Sequence, residues 1–246
     1  MKNCNKWKPS KYVFKHGKLV ASKDPKEVAV GSRLIVNLIA EAYNFSIPKY
    51  AKGKLLDLGC GKVPLFHIYK DYITNNICVD WENTIHKNEY LDFECDLNEV
   101  LPFQDEEFDT VILSDVLEHI SQPENLWKEM QRILSKEGKL ILNVPFYYWI
   151  HEHPHDYYRY TEFALRRFVE NSGLRLLYLD SVGGTLEVIT DIFAKNILLV
   201  PKIGSSIAKF VQWFMLLFIK TKPGKKISKI TKDNFPLGYF LIAEKP

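Results

Sequence analysis

Between residues 54 and 144 the apolar and polar positions follow two alternating periods. Short apolar runs closed by Asp or Gly read as buried strands, as in "KLLDLG", "NICVDW", "YLDFECD", "DTVILSD" and "KLILNVP". Between them, "PLFHIYKDY" and "PENLWKEMQRIL" carry apolar residues at helical spacing. Ser121 and Glu124 around Pro123 form a capping-box pattern, and Gly138 is placed to end that helix. Strands separated by helices predict a doubly wound, mostly parallel sheet with helices on both faces.

The flanking pattern extends this core. "VGSRLIVNLIAEAYNF" predicts a helix before the first strand, and Thr161 is placed to cap "EFALRRFVENSG". "LRLLYLDSV" and "LGYFLIAEK" read as the last two strands. About fifty residues separate them, with two helical patterns near 186–199 and 205–220. The expected division is an N-terminal helical cap over 1–50, a core over 51–184, a basic and apolar helical insertion over 185–235, and a final core strand over 236–246.

Composition changes this picture in two places. The formal net charge of +3 gives no argument for nucleic acid as a partner. Cys4, Cys60, Cys78 and Cys95 have no CxxC spacing, and two of them fall in strand patterns, so reduced thiols in a cytoplasmic protein are expected. The basic N-terminus has no apolar stretch of the secretory kind, and no segment is long enough to span a bilayer. Charge is nevertheless concentrated: nine lysines and no acidic residue lie between Lys195 and Lys232, around "FVQWFMLLFI". That combination suits an interfacial helix on an anionic membrane, or a cover over an amphiphilic acceptor. Packing on the sheet edge or on a second subunit is the competing expectation.

The candidate chemistry lies at the strand ends, where open parallel sheets bind ligands. The first strand runs into "DLGCGKVP", which offers Asp57 beside two turn glycines, Gly59 and Gly61. Asp80 ends the second strand, where an acid suits ribose hydroxyls, and Asp96 ends the third, where a carboxylate suits an exocyclic amine. Three acids at three successive strand ends describe a nucleoside site. A dinucleotide fingerprint would need a further glycine where Pro64 stands, which disfavours an NAD or nucleotide-sugar enzyme.

With "DLGCG", "LPFQDEEFDTVILSDVLEHI" and "LSKEGKLILNVP", the chain resembles the class I S-adenosylmethionine-dependent methyltransferases, in particular the bacterial type 11-like group. The resemblance implies a Rossmann-like seven-stranded sheet with an antiparallel last strand and S-adenosyl-L-methionine as cofactor. It also implies that Asp57, Gly59 and Gly61 surround the methionine half. Asp80 would hold the ribose with Trp81 beside the adenine, Asp96 and Leu97 would meet the base, and Ser114 and Asp115 would line the floor near the methyl group. Val63 and "KEGK" depart from the group's usual glycines. His119 falls in its "LEHI" signature without a settled role.

Methyl transfer needs mainly positioning, with a base if the acceptor is a hydroxyl. The loop after the fifth strand, "HEHPHDYYRYT" (151–161), carries the candidates. His155, Asp156 and His151 are expected as catalytic residues, and Tyr157, Tyr158 and Arg159 as acceptor-binding residues, with Tyr160 adding a further ring. An internal Asp156–Arg159 pair is the competing expectation. The order of His155 and Asp156 differs from the H-x-H-x-D-H metal pattern, so no metal is expected from the loop. The expected activity is O-methylation of a sugar, lipid-linked glycan or other small acceptor, in the cytoplasm or peripherally on the inner membrane face. A catalytically silent cofactor-binding module is the alternative.

Overall fold

The computed structural model describes residues 1–82 and 89–246. A β-hairpin, β1 (Tyr12–Lys15) and β2 (Lys18–Ala21), precedes the long helix α1 (Arg33–Tyr50). The N-terminal fifty residues are therefore not purely helical. The helix also runs past the expected Phe45 to Tyr50, with Pro48 inside its last turn.

Six further strands follow the pattern read from the sequence: β3 (Lys54–Leu58), β4 (Asn75–Asp80), β6 (Phe108–Ser114), β7 (Leu134–Pro145), β8 (Arg175–Val182) and β9 (Gly238–Glu244). The third expected strand shrinks to β5 (Phe93–Glu94), an exposed edge pair beside β4. Sheet order is β5-β4-β3-β6-β7-β9-β8. Pairings from β5 to β7 are parallel, and β9 runs antiparallel to both its neighbours.

Alternation along the strands divides the apolar side chains between two layers. Leu55, Ile112, Ile141 and Ile242 join the α1 residues Val36, Ile39, Tyr43 and Ile47 on one face. Leu56, Val111, Leu140 and Leu241 face the helices α3 (Pro123–Ile133) and α4 (Glu162–Asn171), which contribute Trp127, Met130, Leu165 and Val169. A short helix, α2 (Phe66–Tyr69), follows β3.

Two expected helix boundaries are replaced by tertiary contacts. Ser121 does not cap α3; its N–H and hydroxyl, with the Gln122 N–H, donate to Asn98 Oδ1 at 2.9, 2.9 and 3.2 Å. Gly138 lies inside β7 rather than after a helix, and a Cβ there would stand 2.7 Å from the Ser135 carbonyl oxygen. Thr161 caps α4 as expected, accepting from the Ala164 N–H at 3.3 Å.

The insertion before β9 holds three helices instead of two: α5 (Thr185–Ile197), α6 (Gly204–Phe218) and α7 (Lys222–Thr231). Helix α7 is lysine-rich, which hides its periodicity, yet Thr221 caps it with Pro223 in its first turn. Gln212 of α6 clamps the start of α1, accepting from the Leu34 N–H at 2.6 Å and donating to the Gly31 carbonyl. In α5, a buried Lys195–Asp191 ion pair sets the ammonium 3.6 Å from the centre of the Tyr148 ring. No helix among the described residues is long and apolar enough to cross a membrane.

Candidate functional site

The carboxyl ends of β3, β4, β6 and β7 open into one cavity of about 630 Å³. Asp57, Gly59, Gly61, Asp80, Trp81, Asp96, Leu97 and Ser114 all line it, as do His151, His155 and Tyr157 from the loop after β7. Asp156, Tyr158 and Arg159 do not.

At one end the backbone makes the cradle. Gly59 has φ +66°, and a Cβ there would sit 2.4 Å from a Val116 methyl group. Gly61 has φ +50° and donates its N–H to Asp80 Oδ2 at 2.9 Å, while the Trp81 N–H reaches Asp80 Oδ1 at 2.9 Å. Asp80 is thereby fixed in orientation. Asp96 is exposed, and its Oδ1 accepts from the backbone and side chain of Asn98, both at 2.9 Å. Buried Asp57 meets the Tyr69 hydroxyl at 3.3 Å and has no ion-pair partner among the described residues. Burial pushes its pKa up to about 7, against the Tyr69 hydrogen bond and with the help of nearby Asp80.

The floor is a polar network that joins the N-terminal hairpin to the sheet. Lys11 Nζ reaches Asp115 Oδ2 at 2.5 Å, Asn143 donates to Asp115 Oδ1 at 2.5 Å, and Tyr43 donates to Asn143. Burial opposes the charge on Lys11, yet Asp115 and the neighbouring tyrosines hold its pKa above the ordinary lysine value. Sequence reasoning missed Lys11, since "PSKY" carries no motif; only folding brings it 104 positions along the chain to Asp115.

At the other end lies the loop. His155 stands against Trp81 with ring centres 4.9 Å apart, and its Nδ1 is 3.2 Å from the Tyr157 hydroxyl. Asp156 turns away from the cavity into a bidentate pair with Arg159, at 2.5 and 2.7 Å, and accepts from the His151 N–H at 2.9 Å. Burial works against its charge, but Arg159 and the His151 N–H hold its pKa down at about 2. Arg159 also donates to the carbonyls of Tyr158 and Trp149, at 2.8 and 3.1 Å, so both terminal nitrogens are engaged inside the loop. Tyr158 reaches the Ser121 carbonyl at 3.3 Å. Tyr160, expected as an acceptor-facing ring, is buried in the core and donates to the Leu117 carbonyl at 3.1 Å.

Glu118 is the residue whose weight the sequence did not reveal. Its side chain is fully buried at the cavity wall, and burial, with Asp115 nearby, drives its pKa well above the ordinary carboxylate value. Burial and the adjacent His119 ring lower the pKa of His151.

A doubly wound sheet with a glycine turn and an acid-lined cavity at its switch point is the arrangement in which open α/β sheets bind nucleosides. Residues 56–142 match the methyltransferase domain family, for which S-adenosyl-L-methionine is the expected cofactor. The residues fit that cofactor: a buried, uncompensated carboxylate at Asp57 suits a cationic ligand, and the cradle at Gly59 leaves no room for a side chain.

Among relatives, the protein MJ0638 of Methanocaldococcus jannaschii is 32% identical over 130 residues, covering 49% of this chain and 56% of that protein. MJ1123 of the same organism is 41% identical over 46 residues, 19% of this chain and 22% of that one. The chain thus spans about half, or less, of the length of these relatives.

Solved structures share the fold. An S-adenosylmethionine-dependent methyltransferase from Archaeoglobus fulgidus superposes with TM-score 0.57 at 16% identity, over 85% of this chain and 93% of that one. The [4+2]-cyclase SpnF gives 0.55 at 18%, over 85% and 83%. A Haemonchus contortus phosphoethanolamine N-methyltransferase, complexed with phosphomonomethylethanolamine and S-adenosylhomocysteine, gives 0.53 at 15%, over 91% and 58%.

Proposed function

We propose that the protein methylates a hydroxyl group on a sugar, a lipid-linked glycan or another small acceptor. One observation carries the reading: a single cavity joins the glycine and acid cradle to a wall of histidine, tyrosine and buried glutamate. Bound S-adenosylmethionine supplies a methyl carbon that the acceptor oxygen takes with its own lone pair, the carbon–sulfur pair staying on sulfur and the acceptor proton leaving to a base.

The chain's own residues do the rest. Gly59 and Gly61 admit the methionine half beside Asp57, Asp80 takes the ribose hydroxyls, and Trp81, Asp96 and Leu97 frame the base. His155 is the group that accepts the proton, since it faces the cavity and its ring is steadied by Trp81 and Tyr157. Asp156 and Arg159 act as positioning residues: their mutual pair holds the loop in shape, and a carboxylate with a pKa near 2 is a weak base. Tyr157 is the loop's acceptor-binding ring.

An amphiphilic acceptor is favoured by the insertion. Helix α6 exposes Phe210, Trp213, Phe214 and Leu217, each at least 48% accessible, and lysines surround it. This supports peripheral binding to the inner membrane face. The fold also hosts SpnF, a cyclase, so the decisive experiment separates ligand binding from turnover. Calorimetry with S-adenosylmethionine, S-adenosylhomocysteine and NAD is expected to give binding of the first two only. Incubation of cell lipid and glycan fractions with methyl-labelled cofactor is expected to yield an alkali-stable methyl ether. Binding of NAD alone would refute the reading, and binding without label transfer to any fraction would favour a silent module.

A further inference from the structure

Three ligand-type atoms meet at the acceptor end of the cavity. Glu118, His119 and His151 place one donor atom each within 4.8 Å of one another. The Glu118 Oε1 atom is 3.8 Å from His119 Nε2 and 3.8 Å from His151 Nε2. Neither distance is a hydrogen bond. Both Glu118 oxygens and His119 Nε2 are buried without any hydrogen-bond partner among the described residues. Leaving three such polar atoms unsatisfied at one point is costly, and it calls for something between them.

The outer contacts fix which atoms face inward. His119 Nδ1 lies 3.0 Å from the His155 carbonyl oxygen, an acceptor only, so Nδ1 carries the hydrogen and Nε2 presents its lone pair. His151 Nδ1 lies 3.2 Å from Asp156 Oδ2 and 3.3 Å from the Trp149 carbonyl oxygen, with the same consequence. Two imidazole lone pairs therefore point at a buried carboxyl group. A cation placed between them satisfies all three at once. Each imidazole also has the backing that metal-binding histidines have: a carbonyl behind His119, and behind His151 a carboxylate itself locked by Arg159.

We propose that Glu118, His119 and His151 bind a divalent transition-metal ion at the acceptor end of the cavity. With separations of 3.8, 3.8 and at most 4.8 Å, an ion between the three atoms sits about 2.5 Å or less from each, a few tenths of an ångström beyond a zinc–imidazole bond. Two imidazoles and one carboxylate select zinc, manganese, iron or cobalt over magnesium. His119 and His151 keep side-chain exposures of 14% and 21%, so the remaining coordination positions open to the cavity. There the ion would take the acceptor's hydroxyl oxygen and lower its pKa, leaving His155 an easier proton to accept. That role rests on the methyltransferase reading; the ion site itself does not.

The test uses the metal-stripped protein titrated with cobalt(II), zinc(II) and magnesium(II), followed by calorimetry and visible absorption. S-adenosylhomocysteine binding is measured separately. One equivalent of cobalt is expected to bind with visible absorption of a low-coordinate site, and zinc to displace it. Magnesium is expected to leave the signal unchanged. His151→Ala and Glu118→Gln should weaken cobalt binding more than 100-fold, and Asp156→Asn roughly 10- to 100-fold. His16→Ala, on the distant β1–β2 turn, should match wild type, and S-adenosylhomocysteine affinity should persist in the variants that bind metal weakly. Should Glu118→Gln fail to fold, the partly exposed His151 still decides the matter. No cobalt binding by the wild type, or binding unaffected by His151→Ala, would overturn the site. Metal binding without S-adenosylhomocysteine binding would leave the site standing and remove the methyltransferase reading instead.

Discussion

Asp57 is a carboxylate that burial penalises, and Asp57→Asn should show it. Burial raises its pKa from 3.8 to about 7, so the folded protein holds the proton more tightly than the unfolded chain does. The sign follows: stability linked to this group is greatest below the unfolded pKa and is lost as pH rises towards the folded one. A shift of about three units corresponds to about 4 kcal/mol above pH 7, and to less than half of that at pH 5. Asparagine removes the charge and keeps an oxygen for the Tyr69 hydroxyl, which lies 3.3 Å away. Urea denaturation of both proteins without ligand, at pH 5 and pH 8.5, is the assay. The variant should gain on the wild type as pH rises, and calorimetry should find its S-adenosylmethionine affinity reduced, because the anion facing a cationic ligand is gone. A stability difference that is the same at both pH values, or that shrinks at pH 8.5, would refute the burial argument.

Other perturbations separate the parts of the site. Gly59→Ala forces a side chain into φ +66° and against Val116 at 2.4 Å, so a loss of about 1–2 kcal/mol from conformation alone, with more from the clash, should lower the melting temperature and cofactor affinity together. His155→Ala should leave calorimetric S-adenosylmethionine affinity within a few-fold of wild type while label transfer falls about 100-fold; a fall in affinity of the same size would place His155 in the cofactor half. Trp213→Asp, on the exposed face of α6, should abolish flotation with anionic vesicles and leave cofactor affinity intact, and wild-type protein that does not float would remove the membrane reading.

The sheet was legible because its determinants are local. The central strands β3, β6 and β9 are buried on both faces and read as apolar runs, and the ends of β3 and β4 carry their own acid or glycine. Two of the local failures trace to contacts made by residues distant in sequence. Asn98 takes the Ser121 groups that a capping box would have used, 23 positions away. Lys11 is an ordinary lysine until folding sets it against Asp115.

The loop 151–161 shows where sequence reading stops and why. Its position at the end of β7 followed from pattern alone, but its roles depend on which way each side chain turns. Asp156 and Arg159 are three positions apart, close enough to pair, and pairing withdraws both from the cavity that their chemistry suggested. That withdrawal is what gives His151 its outward carboxylate and leaves its other nitrogen facing Glu118. Of the loop's histidines only His151 joins the cluster, while the carboxylate and the second imidazole come from "LEHI", more than thirty residues earlier. A spacing rule that searches one segment cannot find a site divided between two strand ends. Parallel sheets make such divided sites the rule, because adjacent strand ends are close in space and separated in sequence by a helix.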